Sequence, residues 1–304
     1  MNLTEQEKSI IKTLAHFDIL DYPLTLLEIA RFNELGLAIS NIAEAIKCEP
    51  LNKLIVQERG LYFLKERESI ISSRLERYRI SLLKLKRARL FARLFSYFPW
   101  IRAVAIYSSL SLKNSQTDSD IDLFFITAAD RAWSARFFIN TFLKLFRLRP
   151  TPGNSRDKIC ASYWIDENNL DLSTANLDAD YFYTYGSASF LFLSDSAKVE
   201  NDFWQANKWI NNILPAWQPA LTNHQDYSGG ITYKFQTLIE KILGLIPESS
   251  YKKLQMKILP LRYYNNNDGK KVSLGAGYIK LHDNDKRGKY NQLFEKNFNR
   301  ILNT

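Results

Sequence analysis

The stretch AVAIYSSLSLKNSQTDSDIDLFFIT, residues 103–127, decides how the fold is read. Two apolar runs, 103–107 and 121–127, flank a polar segment that ends in Asp118, Asp120 and Asp122. Both runs have the β-branched and aromatic character of strands. An Asp inside such a strand is unfavourable for β-propensity and for desolvation. Asp118 reads as a turn residue. Asp120 and Asp122 are two apart, so on a strand they emerge on one face. The apolar flank of Ile121, Leu123, Phe124, Phe125 and Ile126 marks a central strand rather than a wet edge. Two carboxylates placed this way suit a shared divalent cation, because hard oxygen ligands favour Mg²⁺. Without a cation, like charges this close repel and raise one pKa. Upstream, Tyr107-Ser108-Ser109 ends a strand and precedes a short helical segment at 110–114. Backbone N–H groups at such a turn, with a hydroxyl beside them, form a phosphate seat.

At 304 residues the chain is long enough for two or three domains. Its 46% hydrophobic and 24% charged content excludes wholesale disorder. A net charge of +9 points to acidic partners, namely nucleotides, nucleic acid or anionic surfaces, with a solvated basic face as the alternative. Cys48 and Cys160 are far apart in apolar contexts and read as reduced, buried thiols of a cytoplasmic protein. His16, His224 and His282 share no metal-ligand spacing, which argues against a zinc site. The opening MNLTEQEKSI has no apolar signal core, and no apolar run reaches membrane-spanning length, so no membrane partner is expected.

Residues 4–17 carry helical periodicity, with Ile10, Ile11, Leu14 and Phe17 on one face and Thr4 as N-cap before Glu7. Asp21-Tyr22-Pro23 breaks the pattern, Thr25 caps a short helix over 26–32, and a third helix follows over 39–47. Residues 51–66 read as two β runs, 54–56 and 61–64, turned around Glu58-Arg59-Gly60. Three short helices closed by a hairpin predict a winged helix. Its candidate recognition helix, SNIAEAIKCEP, holds one Lys and two Glu, which favours a packing module over a DNA reader.

Residues 66–97 hold the longest helical pattern. Ile70, Ile71, Leu75, Tyr78, Leu82, Leu85, Leu90 and Leu94 recur at three- and four-residue steps as its apolar face. The other face concentrates Arg67, Arg74, Arg77, Arg79, Lys84, Lys86, Arg87, Arg89 and Arg93, a rim for a polyanion or a solvated surface. After the two strands come a helical pattern over 130–148, a loop at 150–154, a strand over 158–165 and a short extension at 170–172. From 179 onward the chain reads as mainly helical, with best segments at 179–193, 198–213, 231–245, 249–258 and 286–302. Tyr181, Tyr183 and Tyr185 read as core or as a base-stacking surface. The polar cluster 280–287, after Gly275-Ala276-Gly277, reads as a solvated loop or as a return of His282 to the site.

The 103–127 stretch resembles the core signature of the DNA polymerase β-like nucleotidyltransferase superfamily. There an apolar strand ends in Gly-Ser or Gly-Gly, and an apolar–Asp–apolar–Asp strand follows a short helix. Ser108-Ser109 stands where Gly-Ser is expected, and Ser119-Asp120-Ile121-Asp122-Leu123 stands at the acidic strand. The segments GLYFLKERESIISSRLERYRISLLKLKRAR, DSDIDLFFIT and DKICASYWIDENNLDLS are similar to a bacterial group of nucleotidyltransferases with a winged-helix N-terminus and a helical C-terminus. The resemblance implies that the Ser108-Ser109 turn holds the triphosphate tail and that Asp120 and Asp122 ligate two Mg²⁺ ions. The family commonly has a third carboxylate on the next core strand. The run 158–165 contains none, so Asp157 at its mouth takes that role first and Asp171 second. Lys158 and Arg156 add positive charge for the phosphates. Ser108, in place of the usual Gly, puts a Cβ where phosphate approaches the backbone.

The expected architecture is α+β: a winged helix over 1–66, a long basic connecting helix over 67–98, a nucleotidyltransferase core with a small mixed β-sheet over 99–178, and a helical C-terminal domain over 179–304. The expected activity is Mg²⁺-dependent transfer of a nucleoside monophosphate from a nucleoside triphosphate to an acceptor hydroxyl or phosphate, by two-metal in-line displacement. The alternatives are a non-catalytic nucleic-acid-binding regulator, using the basic helix, and a nucleotide sensor on a degenerate core.

Overall fold

A computed structural model describes residues 3–177, 180–220, 231–282 and 286–302, with backbone alone over 231–235. His224 and the Asp283-Asn284-Asp285 part of the polar cluster lie outside the described residues. Helix α1 (Glu5–Asp18) begins at a capping box in which the Thr4 hydroxyl accepts from Glu7 N–H and the Glu7 carboxylate accepts from Thr4 N–H. Thr25 and Glu28 repeat that device at the start of α2 (Leu26–Arg31). Helix α3 (Ile39–Lys47) and the single turn α4 (Leu51–Leu54) lead to an antiparallel hairpin of β1 (Ile55–Glu58) and β2 (Leu61–Leu64). Arg59 and Gly60 turn the hairpin at positive φ. The first β run therefore starts one residue later than the sequence suggests, because Leu54 completes a helical turn.

Helix α5 (Ile70–Phe95) spans the predicted long helix but buries only part of the expected face, namely Ile70, Ile71 and Leu85. Leu85, Ala88, Phe91, Ala92 and Phe95 are buried together with Ser81 and Lys84, whereas Leu75, Tyr78, Leu82, Leu90 and Leu94 are exposed. Arg67, just before α5, and Arg74 and Arg77 in its first half bind the N-terminal region. Arg67 pairs with Asp18 and Asp21, Arg74 with Glu28 and the Pro23 carbonyl, and Arg77 with Asp21 and the Leu20 carbonyl. The basic rim that remains on the surface comprises Arg79, Lys86, Arg89 and Arg93.

There follow β3 (Ile101–Ile106), the single turn α6 (Ser108–Ser111), β4 (Ile121–Thr127), α7 (Ala132–Leu145) and β5 (Ile159–Asp166). The rest of the chain forms α8 (Tyr181–Ala188), β6 (Leu191–Asp195), α9 (Glu200–Ala206), α10 (Trp209–Ile213), α11 (Ile231–Leu243), α12 (Glu248–Met256) and α13 (Leu261–Asn265), then β7 (Val272–Leu274), β8 (Tyr278–Leu281) and α14 (Arg287–Leu302). The sheet order is β6-β3-β4-β5-β8-β7. β4 and β5 are parallel, and the other neighbours are antiparallel. The chain is thus α+β with a mixed sheet. The expected helix over 179–193 stops at Ala188, because the apolar run at 190–193 pairs with β3 instead. Together with β7 and β8, that run makes the chain beyond 179 a contributor of sheet edge as well as helix.

Period-two alternation sorts the sheet's side chains between two apolar layers. Val104, Ile106, Leu123, Phe125 and Trp164 pack against α5, α7 and Tyr251 of α12. Ala103, Ala105, Phe124, Ile126, Tyr163 and Ile165 pack against α1, α2, α8, α9 and Phe294 of α14. Both faces are covered, so β4 is buried throughout except for half-buried Asp122. Among the described residues no helix is long and apolar enough to cross a membrane.

Candidate active site

Strand directions gather the site. β3 runs against β4, β4 runs with β5, and β5 runs against β8, so the ends of β3 and β8 meet the beginnings of β4 and β5 at one sheet edge. Asp120 immediately precedes β4, and Asp122, its second residue, is in register with Cys160 of β5. The two carboxylates and Cys160 Sγ all lie within 4.8 Å of one another. Burial, reinforced by the negative charge of Asp120, holds the Asp122 carboxyl up at about 7. Burial raises Asp120 as well. Hydrogen bonds from Ser108 and Cys160 to Asp122 pull in the opposite direction, as does the Lys84 ammonium near Asp120. Burial, with the two carboxylates adjoining, pushes the Cys160 thiol well above its usual range, so it remains an S–H donor.

Ser108 stands at φ +65°, the left-handed region that favours glycine, in the position where the resemblance expects Gly. Its hydroxyl is turned onto Asp122. Ser109 Oγ lies 3.5 Å from Ser115 Oγ. From the acid pair a polar chain runs outward: Cys160 Sγ is 3.4 Å from Ser162 Oγ, which is 3.1 Å from His282 Nε2, which is 2.7 Å from the Tyr107 hydroxyl. Burial holds the Tyr107 phenol protonated beside the imidazole. The glycines before β8 set this strand's approach. A Cβ on Gly277 would stand 2.2 Å from Asp166 Oδ2, a contact no side chain tolerates.

The edge opens into a cavity of about 490 Å³. Ser108, Ser109 and Asp122 line its floor, Lys280, Lys286 and Arg287 supply positive charge, and Phe182, Tyr183, Tyr185 and Tyr290 supply aromatic surface. Lys280 is buried, its Nζ donating to the Lys270 carbonyl at 2.9 Å and standing 5.2 Å from the Tyr183 ring centre. Arg287 is held 2.9 Å from the Asp180 carboxylate. Tyr183 and Tyr185 are both core and cavity wall, while Tyr181 bonds Lys12. His282, read from sequence as loop or site, lines the cavity.

Four sequence candidates lie elsewhere. Asp157 pairs with Lys84 at 2.7 Å and is outside the Asp120–Asp122–Cys160 cluster. Lys84 Nζ also bonds the Ser119 carbonyl at 2.6 Å and the Thr117 carbonyl at 3.1 Å, clamping the segment that delivers Asp120. Asp171 accepts from Ser173 N–H and Oγ in a local turn, because an Asp two residues before a Ser closes on it readily. Lys158 Nζ bonds the Arg147 carbonyl at 2.8 Å, and Arg156 is exposed 3.7 Å from Asp157. Asp118 is an exposed turn residue as expected. Cys48, expected buried, is exposed at the C-cap of α3. Cys160 and Ser162 were the missed site residues. Their two-residue spacing repeats that of Asp120 and Asp122 on the neighbouring strand, which was a readable signal. No protein family, curated protein or solved structure matches this chain.

Proposed function

We propose that the chain is a Mg²⁺-dependent nucleotidyltransferase that moves a nucleoside monophosphate from a nucleoside triphosphate to an acceptor hydroxyl or phosphate. The observation that carries this reading is the pairing of Asp120 and Asp122, within 4.8 Å of each other, with Asp122 lining, together with Ser108 and Ser109, a cavity that has basic and aromatic walls. The N-terminal helices and hairpin then correspond to a winged helix used for packing, and β3 to β5 to the nucleotidyltransferase core. The donor set fits Mg²⁺: two carboxylates offer hard oxygens, and their burial and mutual repulsion leave them short of positive charge. Bound there, Mg²⁺ supplies charge neutralisation at the phosphates and a more acidic acceptor hydroxyl. The chain's own groups do the rest. Ser109 and the turn N–H groups seat phosphate, and Lys280, Lys286 and Arg287 add positive potential along the cavity. Cys160, protonated, serves as a hydrogen-bond neighbour of the pair rather than as a Mg²⁺ ligand.

The test is pyrophosphate release from a panel of nucleoside triphosphates with Mg²⁺. Wild type releases pyrophosphate in a metal-dependent reaction, and the Asp120→Asn/Asp122→Asn variant loses it by at least a hundredfold. Full activity in the double variant would falsify the assignment. A second reading, a nucleotide sensor that binds without turnover, is favoured by two features: Cys160 holds the register position of a third carboxylate, and the Ser108 hydroxyl occupies Asp122. Metal-dependent triphosphate binding with no pyrophosphate release, even when a cell extract supplies acceptor hydroxyls and phosphates, decides for it.

A further inference from the structure

Two residues of the cavity wall each carry a buried polar atom with no partner among the described residues. His16, on α1, is 1% exposed, and its Nδ1 makes no hydrogen bond among the described residues. Ser187, near the end of α8, is 3% exposed, and its Oγ is likewise unpartnered. Both residues line the same cavity as Asp122 and Ser108. A buried polar atom without a partner is destabilising, and native proteins rarely keep one without a use. Two in a single wall, from two distant parts of the chain, point to a ligand that completes them.

The surroundings indicate its chemistry. Burial lowers the His16 imidazole to about 3, so it is neutral and offers one N–H donor and one lone pair in its plane. A hydroxyl such as that of Ser187 both donates and accepts. No charge is offered by either. Flanking surface is aromatic: the Phe182 ring centre is 4.0 Å and the Tyr185 ring centre 4.1 Å from that of His16, and Tyr290 stacks on Phe182 at 5.1 Å. A flat, uncharged heteroaromatic group with a mixed donor and acceptor edge fits such a wall, whereas a phosphate does not.

We infer that His16 and Ser187 form the base-recognition subsite of the cavity, reading the edge of a nucleobase whose phosphates lie toward Ser108 and Asp122. This rests on the nucleotidyltransferase reading and deepens it: the N-terminal helix supplies nucleotide selectivity to a site whose acids come from the sheet. Losing one hydrogen bond to a desolvated edge weakens binding by roughly tenfold.

The experiment is calorimetric titration of the full chain with Mg²⁺ and each of ATP, GTP, CTP and UTP, beside inorganic tripolyphosphate, which has no base. The variants are His16→Phe and the nearly isosteric Ser187→Ala. Wild type is expected to prefer one nucleobase. Each variant is expected to lose roughly tenfold affinity for that nucleotide, to keep tripolyphosphate affinity, and to melt no lower than wild type. Unchanged nucleotide affinity in both variants overturns the inference and leaves the proposed function standing. An equal loss of tripolyphosphate affinity overturns it too, since that marks a general distortion. Absence of Mg²⁺-dependent binding of any of these by wild type overturns the inference and the proposed function together.

Discussion

In metal-free protein the Asp122 carboxyl, held at about 7, stays protonated where an unfolded chain, with an ordinary value of 3.8, has already released its proton. Between those values the native state binds more protons, so this carboxyl's contribution to stability is full near pH 4 and is lost as pH rises through 7. Asp122→Asn removes the ionisation. Measured by urea denaturation in chelator, the variant is expected to be more stable than wild type at pH 8 and no more stable at pH 4. An advantage of equal size at both pH values would sink the argument. The proximity of Asp120 and Asp122 was legible because side chains two residues apart on a strand share a face. Ser108 was legible for a related reason: the position calls for glycine, and the serine there has positive φ. Asp157 was misleading. A carboxylate at a strand mouth faces whatever cation packs beside it, and Lys84 arrives from a helix 73 positions away in sequence, a partner that no local pattern reveals.

Helix α5 is where element-scale reading held only in part. Ile70, Ile71 and Leu85 of the large apolar stripe are buried, yet the rest of the buried face is Ser81, Lys84, Ala88, Phe91, Ala92 and Phe95. Small side chains let the helix lie close to the sheet, close enough for Ser194 of β6 to reach the Ala92 carbonyl at 3.4 Å. Hydrophobicity counts give such residues little weight, and they score a lysine as surface. Lys84 is 2% exposed at its side chain and makes three bonds that hold residues 117–119 and Asp157 in place. Lys84→Met keeps the bulk and removes those bonds. It is expected to cost about 1–3 kcal/mol in chemical denaturation and to weaken Mg²⁺ binding, because the segment entering Asp120 loses its clamp. Lys86→Met, two residues on and exposed, serves as the control and is expected to stay within about 0.5 kcal/mol of wild type. Equal effects at the two positions would show that Lys84 clamps nothing.

At the scale of the whole molecule, one apolar layer is assembled from both ends of the chain. Ile10, Leu14 and Phe17 of α1 share it with Phe124 of β4, Tyr163 of β5, Tyr185 of α8 and Phe294 of α14. Arg67, Arg74 and Arg77 add ion pairs between the start of α5 and the N-terminal helices. The cavity wall is made the same way, His16 coming from α1 and Lys280 from β8. Sequence patterning shows the helices and strands one at a time but carries no record of which faces meet. Because the layer is continuous, loosening α1 exposes apolar surface on the sheet, so the N-terminal helices are expected to melt together with the sheet instead of first. Leu14→Ala, at a site 3% exposed, opens a void expected to lower stability by about 2–5 kcal/mol. Far-ultraviolet dichroism follows the helices, and tryptophan fluorescence follows six residues, of which Trp100, Trp133 and Trp164 lie in the opposite layer and Trp204, Trp209 and Trp217 in the layer of Leu14. Both signals are expected to shift together in Leu14→Ala, through a single transition with an unchanged denaturant slope. A biphasic curve in which only the dichroism shifts would mean that the N-terminal helices unfold independently of the sheet they cover.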